Sequence, residues 1–211
     1  MGRLNGLNTA GVQANVTDER DFQIAQHLRK MANDAEFSFI QGVFAQAINS
    51  GVAAQTRGMV PAIQLAGGTN INALGAALSL PLMQQTFLGM FNAGALFSNL
   101  VLYVNGTYKQ QLSAFYGFAP TDRNVGGVNV KQLETDFGNV GIVASRYAPA
   151  NTVLALEMDV IAPVFQEVPG KGVFFYEELS KTGAAETGQL YGHIGLDHGP
   201  AFAHGRLFGL A

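Results

Sequence analysis

The sequence predicts an α+β chain, because helical periodicity fills its first part, two-residue alternation its last part, and the two rhythms do not alternate. Residues 17 to 50 repeat apolar side chains at helical spacing. Residues from about 140 onward alternate apolar and polar instead. Clusters of glycine, asparagine and proline punctuate the later segments as turns.

The first helix is expected over Asp18 to Ser50. Thr17 is placed to cap it with a hydroxyl, and Asp18 and Glu19 set negative charge against the positive end of the helix dipole. Ile24, Leu28, Met31, Ala35 and Phe39 recur on one face, and Glu19, Gln23, Gln26, Lys30 and Asn33 on the other. From Phe37 onward, Phe39, Ile40, Val43, Phe44, Ala47 and Ile48 leave only a thin polar seam. The second half is therefore expected to be the more deeply buried, with Phe44→Asp abolishing soluble expression. Asn49, Ser50 and Gly51 supply the stop. A helix of this length would run about 48 Å. Gly42 within it costs about 1 kcal/mol relative to alanine, which predicts a bend or a close backbone contact there.

After the helix, Gly67-Gly68-Thr69-Asn70 reads as a loop. Asn72 to Phe91 reads as mainly helix, broken or kinked near Pro81, and Leu100 to Val104 as a short interior strand beyond Asn92-Ala93-Gly94. The window Thr86 to Val104 has about the ~20 residues of a membrane span. Against a span stand Asn92, Ser98 and Asn99 inside it and the lack of a flanking Lys/Arg cluster. Tyr108, Leu112, Phe115 and Tyr116 share one face of a short amphipathic helix ended by Gly117, and Ala119 to Val128 is loop.

The strands follow. Leu154, Leu156, Met158 and Val160 alternate with Ala155, Glu157 and Asp159, as in a half-buried strand. Val140 to Tyr147 is expected to pair with it across Ala148-Pro149-Ala150-Asn151. Further strands are expected at Val173 to Glu177 and Gln189 to Asp197, the latter with Leu190, Ile194 and Leu196 on one face and Tyr191, His193 and Asp197 on the other.

Composition narrows the function. A chain of 211 residues suffices for one large or two small domains. Charged residues make up 13%, about half the usual share, so much of the surface is expected to meet protein, including copies of the same chain. With a net charge of −3 there is no basic footprint for gripping nucleic acid. Absence of cysteine excludes disulfides, thiolate metal sites and a cysteine nucleophile. Met1 to Val16 lacks the basic start and apolar run of a secretion signal.

No catalytic, cofactor-binding or metal-ligating residue is assigned. His193, Asp197, His198 and His204 are the residues of metal-ligand type, yet on a strand His193 and Asp197 share a face that His198 leaves, so three ligands do not converge. Lys181-Thr182-Gly183 lacks the Ser-x-x-Lys that would accompany it in penicillin-binding enzymes. Gly170-Lys171-Gly172 lacks the spacing of a phosphate-binding loop and suits a tight turn. Glu177 and Glu178, being adjacent on a strand, face opposite sides and do not make a carboxylate pair. Nothing assembles a nucleophile, a base and an orienter.

In order along the chain stand Asp34-Ala35-Glu36-Phe37 with Gln41-Gly42, Gln55-Thr56-Arg57-Gly58, and Asp122-Arg123-Asn124-Val125-Gly126-Gly127. Then come Glu134-Thr135-Asp136-Phe137-Gly138 with Arg146-Tyr147, Pro169-Gly170-Lys171-Gly172, Lys181-Thr182-Gly183, and Gln189-Leu190-Tyr191-Gly192 leading to Ile194-Gly195-Leu196. In this order the chain resembles the major capsid proteins of tailed bacteriophages, whose Johnson fold, the Hong Kong phage capsid fold, is shared with bacterial encapsulins.

The resemblance implies a long spine helix in a peripheral domain formed by residues 18–58 and 168–211, an axial domain of residues 59–167, and a short N-terminal segment of residues 1–17. It implies a structural, non-enzymatic protein without cofactors, self-assembling as hexamers and pentamers into an icosahedral shell. The shell would enclose double-stranded DNA without sequence-specific binding and without a membrane. Scaffold, portal or decoration proteins would be further partners, and the location would be the virion, assembled in the bacterial host cytoplasm. The alternatives are an encapsulin-like compartment, a membrane-embedded protein and a metal-dependent hydrolase. Family members usually place an N-terminal arm and an extended loop before the spine helix; with Met1 to Thr17 alone in that place, the isolated chain is expected as a monomer or small ring in dilute solution.

Overall fold

The computed structural model describes residues 4–5, 19–47, 53–115, 132–180 and 185–211. In chain order the elements begin with β1 (Leu4–Asn5), α1 (Glu19–Gln41), α2 (Met59–Leu65), β2 (Thr69–Asn72) and α3 (Leu80–Asn92). β3 (Leu100–Val104), α4 (Gly106–Phe115), β4 (Gln132–Thr135), β5 (Gly138–Ala144) and β6 (Thr152–Glu157) follow. The chain closes with β7 (Ala162–Gln166), β8 (Phe174–Glu178), β9 (Ala185–Glu186), β10 (Gly188–Asp197) and β11 (Gly205–Phe208). The class is α+β, as its periodicities predict.

Two compact units divide the chain: residues 1–36 with 163–195, and residues 37–162 with 196–211. The second is built on a mixed six-stranded sheet in the order β2-β11-β6-β3-β5-β4. On one face, Met83, Phe87 and Met90 of α3 and Tyr108 and Leu112 of α4 join Leu102, Val140, Val153 and Leu207 in the larger core. On the other, Ile40 at the end of α1 and Met59 and Ile63 of α2 cover Leu154 and Leu156. β6 is thus buried on both faces, and Met158 to Val160 leave the strand as a 3₁₀ turn. The expected half-buried strand over Leu154 to Val160 is corrected on both counts: its alternation is real, but both sides meet core, so Leu154 and Ala155 are equally covered.

The expected hairpin of Val140 to Tyr147 with Leu154 to Val160 does not form. β3 lies between the two strands, parallel to β5 and antiparallel to β6. Its sequence Leu-Val-Leu-Tyr-Val is apolar on both sides, which suits the middle of a covered sheet better than an edge.

α1 is shorter than its apolar pattern predicts. It stops at Gln41, a length of about 34 Å for 23 residues. Gly42 donates its N–H to the Ser38 carbonyl at 2.8 Å, and its own carbonyl accepts from the Gly58 N–H at 2.7 Å. A side chain on Gly42 would strike the Ser38 carbonyl, and one on Gly58 would lie 2.6 Å from the Gly42 nitrogen. The close backbone contact expected at Gly42 is present and ends the helix. Beyond it Ala45 and Gln55 bridge, while Val43 and Phe44 are 68% and 53% exposed. The expectation of a deeply buried second half, and with it the lethal Phe44→Asp, is overturned; apolar spacing continued past a helix end set by backbone contact. The expected stop at Asn49 to Gly51 lies outside the described residues.

Thr69 to Asn72, read as loop and helix start, is strand β2, parallel to β11 in register Thr69↔Gly205. Pro81 sits in the first turn of α3 behind the N-cap Ser79, so it opens that helix instead of kinking one. α2, with Pro61 in its first turn, has no counterpart in the sequence reading. Thr86 to Val104 divides into the end of α3, a turn and β3, and no described helix is long and apolar enough to cross a membrane. α4 matches its expected helix; Gly117 and the loop Ala119 to Val128 lie outside the described residues.

The other unit contains the first part of α1, the ribbon of β1 with β9, and a three-stranded sheet in the order β7-β10-β8. β8 and β10 pair antiparallel with Tyr191 opposite Phe175, where the sequence places strands. Arg20 of α1 reaches Glu178 of β8 at 3.1 Å.

Candidate functional site

The histidines of the C-terminal region separate by environment. His193 stands exposed on β10 in the unit of residues 1–36 and 163–195, while His198 and His204 belong to the other unit. Asp197 turns its carboxylate back onto the Gly199 N–H at 3.0 Å, forming a local turn. Among the described residues no three His, Asp or Glu side chains gather in a geometry for a metal ion.

His204 is fully buried, and both ring nitrogens are engaged. Nδ1 accepts from the Glu157 N–H at 3.2 Å, and Nε2 donates to the His198 carbonyl at 2.8 Å. The ladder of β11 with β6 begins at Gly205↔Ala155, so the imidazole takes the place of a strand acceptor for Glu157 just beyond its end. Burial pushes the imidazole below its ordinary pKa; the hydrogen bond to the His198 carbonyl pulls the other way, and the nearby His198 adds a smaller lowering. The Glu157 carboxylate accepts from the Asn99 N–H at 2.7 Å through Oε1, while Oε2 is buried without a hydrogen-bond partner in the structure. Asn99 also donates Nδ2 to Asp159 at 3.1 Å and accepts from the Met158 N–H. This group clasps the end of β6 to the start of β3.

Arg206, 8% exposed on β11, lies 4.2 Å from the Phe208 ring centroid. With its amide oxygen turned towards the guanidinium, Gln64 accepts from Nη1 at 2.7 Å and Nη2 at 3.1 Å. Desolvation lowers the Arg206 pKa. Such buried polar groups hold strands and helices together; they present no nucleophile with a base beside it.

On the three-stranded sheet the geometry differs. The turn at Gly170-Lys171-Gly172 is confirmed by the Val168↔Gly172 bridge and by positive φ at Gly170 and Gly172. It brings Lys171 over the Phe175 ring, 5.3 Å from its centroid, and into an ion pair with Glu177. Glu177 also accepts from Gln189 at 3.1 Å; the bonds to Lys171 and Gln189 hold its carboxyl below the usual carboxylate range. Glu178 instead meets Arg20, so the two glutamates do face opposite sides. Phe175 contacts Tyr191 at 5.6 Å between centroids, and Tyr191 meets His193 edge-on at 4.9 Å with its hydroxyl on Nε2. The sequence reading placed Tyr191 and His193 on one face but missed that Lys171, Phe175, Glu177 and Gln189 share it. Antiparallel pairing of β8 with β10 was the signal that could have found them. Lys181-Thr182-Gly183 lies outside the described residues.

A family model described as SU10 major capsid protein matches residues 5–211. No curated protein sequence matches. Among solved structures, the capsid of an empty GTA particle aligns over 100% of this chain and 72% of its own, with a TM-score of 0.65 and 11% identity. The holo-SrpI encapsulin complex from Synechococcus elongatus PCC 7942 aligns over 99% of this chain and 71% of its own, with a TM-score of 0.62 and 14% identity. The satellite phage P4 procapsid with its size determination protein aligns over 100% and 69%, at 0.57 and 11%. At these identities the structural likeness is one of fold.

Proposed function

The chain belongs to the SU10 major capsid protein family, and from that premise we propose that it is the repeating structural subunit of an icosahedral shell enclosing phage double-stranded DNA. The family match over residues 5–211 carries this reading, because it spans both compact units and not one of them alone. The role is structural and needs no catalytic step. A net charge of −3 keeps the protein from adhering to the genome it surrounds, since DNA affinity rests on cationic contacts to phosphate. Its place is then the virion, after assembly in the host cytoplasm.

Within this reading α1 is the spine helix of the peripheral domain, expected over residues 18–58 and 168–211. The six-stranded unit supplies the axial domain, expected over residues 59–167, with β11 added from the C-terminus. The likeness to an encapsulin favours a second reading, a compartment shell that encloses a protein cargo. Both readings share the fold, and cargo separates them.

Light scattering and negative-stain microscopy of concentrated purified protein test the proposal. Five- or six-membered rings or closed shells are the expected outcome. A fixed two-fold dimer that never closes further would overturn it. Nucleic acid inside particles made during infection supports the capsid, whereas a packaged enzyme supports the compartment.

A further inference from the structure

Residues 198–204 lie over the end of β6, held there by hydrogen bonds more than by apolar cover. Pro200 is exposed and Phe202 is 45% exposed, so ahead of His204 only the methyl groups of Ala201 and Ala203 are buried. Two methyl groups supply little hydrophobic attachment. Gly199, at φ +58, rests so near the Val160 carbonyl that a Cβ would lie 2.6 Å from it. The His204 ring is the main tie, because it joins the Glu157 N–H of β6 to the His198 carbonyl at the start of the same segment. The Ala203 and His204 N–H groups bond inside the segment, to the Pro200 and Ala201 carbonyls, and the Thr69 N–H donates to the His204 carbonyl. Both ladders of β11 begin one residue later, at Gly205↔Ala155 and Gly205↔Thr69. The segment can therefore lift without breaking a strand pair.

The bond from Glu157 requires a bare Nδ1; a proton there makes the ring a donor at both nitrogens and sets one of them against an N–H. The acidic groups around the corner have donors of their own: Glu157 holds the Asn99 N–H, Asp159 the Asn99 amide and Asp197 the Gly199 N–H. His198 opposes a second positive charge nearby, and Arg206 stands two places further along β11. α2, α3 and β2 bring no titratable side chain.

We propose that His204 is the catch of an acid-operated latch, whose protonation releases residues 198–204 from the end of β6 while the six-stranded sheet stays paired. The latch belongs to the single chain and requires no neighbour. Burial makes the closed ring bind its proton more weakly than the released one, so the latch is fully closed above the ordinary 6.5 and opens as pH falls below it.

Amide hydrogen exchange of the full chain at pH 7.5 and 5, read by NMR and corrected for intrinsic rates, tests the latch. Glu157, Thr69, Ala203 and His204 are expected to lose about tenfold or more of their protection at the lower pH, while Leu102 and Ile142 in the sheet keep theirs. His204→Gln, whose amide accepts and donates at every pH, is expected to abolish the difference. In the wild type the His204 ring resonances should titrate with the same midpoint as the amide loss, a comparison that needs no variant. Equal loss at Leu102 and Ile142 would be unfolding of the sheet and would overturn the latch, as would protection at the four amides that ignores pH. A response that survives His204→Gln, or ring and amide midpoints that differ, would overturn His204 as the catch.

Discussion

The Glu157 N–H donates to Nδ1 of His204 at 3.2 Å, in the buried corner where β6 runs past the start of β11. Because an N–H can only donate and the His198 carbonyl can only accept, the ring is held neutral with its proton on Nε2. Protonating Nδ1 would set two donors against each other on a fully buried ring.

Stability is therefore expected to depend on pH through His204. Its pKa is lowered on folding from the ordinary 6.5, so between the folded value and 6.5 the unfolded chain binds more protons. The contribution is complete above about 6.5 and is lost as pH falls towards the folded value. Thermal melts between pH 8 and 5 should show a steeper decline for the wild type than for His204→Gln. Equal slopes would remove His204 as the cause.

Glu157 illustrates an acceptor worth more than its charge. Glu157→Ala removes the buried carboxylate that accepts from the Asn99 N–H and should cost about 1–3 kcal/mol in urea unfolding. Glu157→Gln keeps an oxygen for Asn99 and removes the buried charge, so it should lie closer to wild type. If the two variants lose equal stability, the Asn99 bond is not what Glu157 provides.

The backbone crossing at the end of α1 should be intolerant of a single methyl group. On Gly58 a Cβ would lie 2.6 Å from the Gly42 nitrogen and 2.8 Å from the Ile40 carbonyl, backbone atoms that cannot swing aside. Gly58→Ala is expected to cost about 2 kcal/mol or more, although its φ of −80 suits any residue. Gly106→Ala, with nothing within 4 Å, should be tolerated. Calorimetry on both variants makes the comparison.

Around that crossing the side chains divide sharply. Ile40→Asp buries a carboxylate in the smaller core and should prevent soluble expression. Phe44→Asp should remain soluble, losing chiefly the contact of Arg57 with the Phe44 ring at 5.4 Å. Solubility assays that rank the two in the opposite order would mean that the chain beyond Gly42 is buried after all.

The sequence by itself determined the class, the presence of a first helix, the strands β3, β8 and β10, and α4, because each declares itself through the spacing of its own side chains. It also determined that Glu177 and Glu178 part company, since adjacent strand residues always do. Where elements end and which ones meet was decided in three dimensions. α1 stops at Gln41 because Gly42 and Gly58 touch, a contact across 16 positions that leaves the apolar spacing of Val43 and Phe44 unchanged. β6 is buried on both faces because α2 and the end of α1 cover the side opposite α3, and β3 enters between β5 and β6 for want of an uncovered edge that its apolar residues could accept. The aromatic face was legible only in part, as Tyr191 and His193, because its other half lies on β8 and strand register sets the pairing. Local periodicity reports the faces a segment has, whereas the neighbours covering those faces are chosen by packing between residues far apart in the chain.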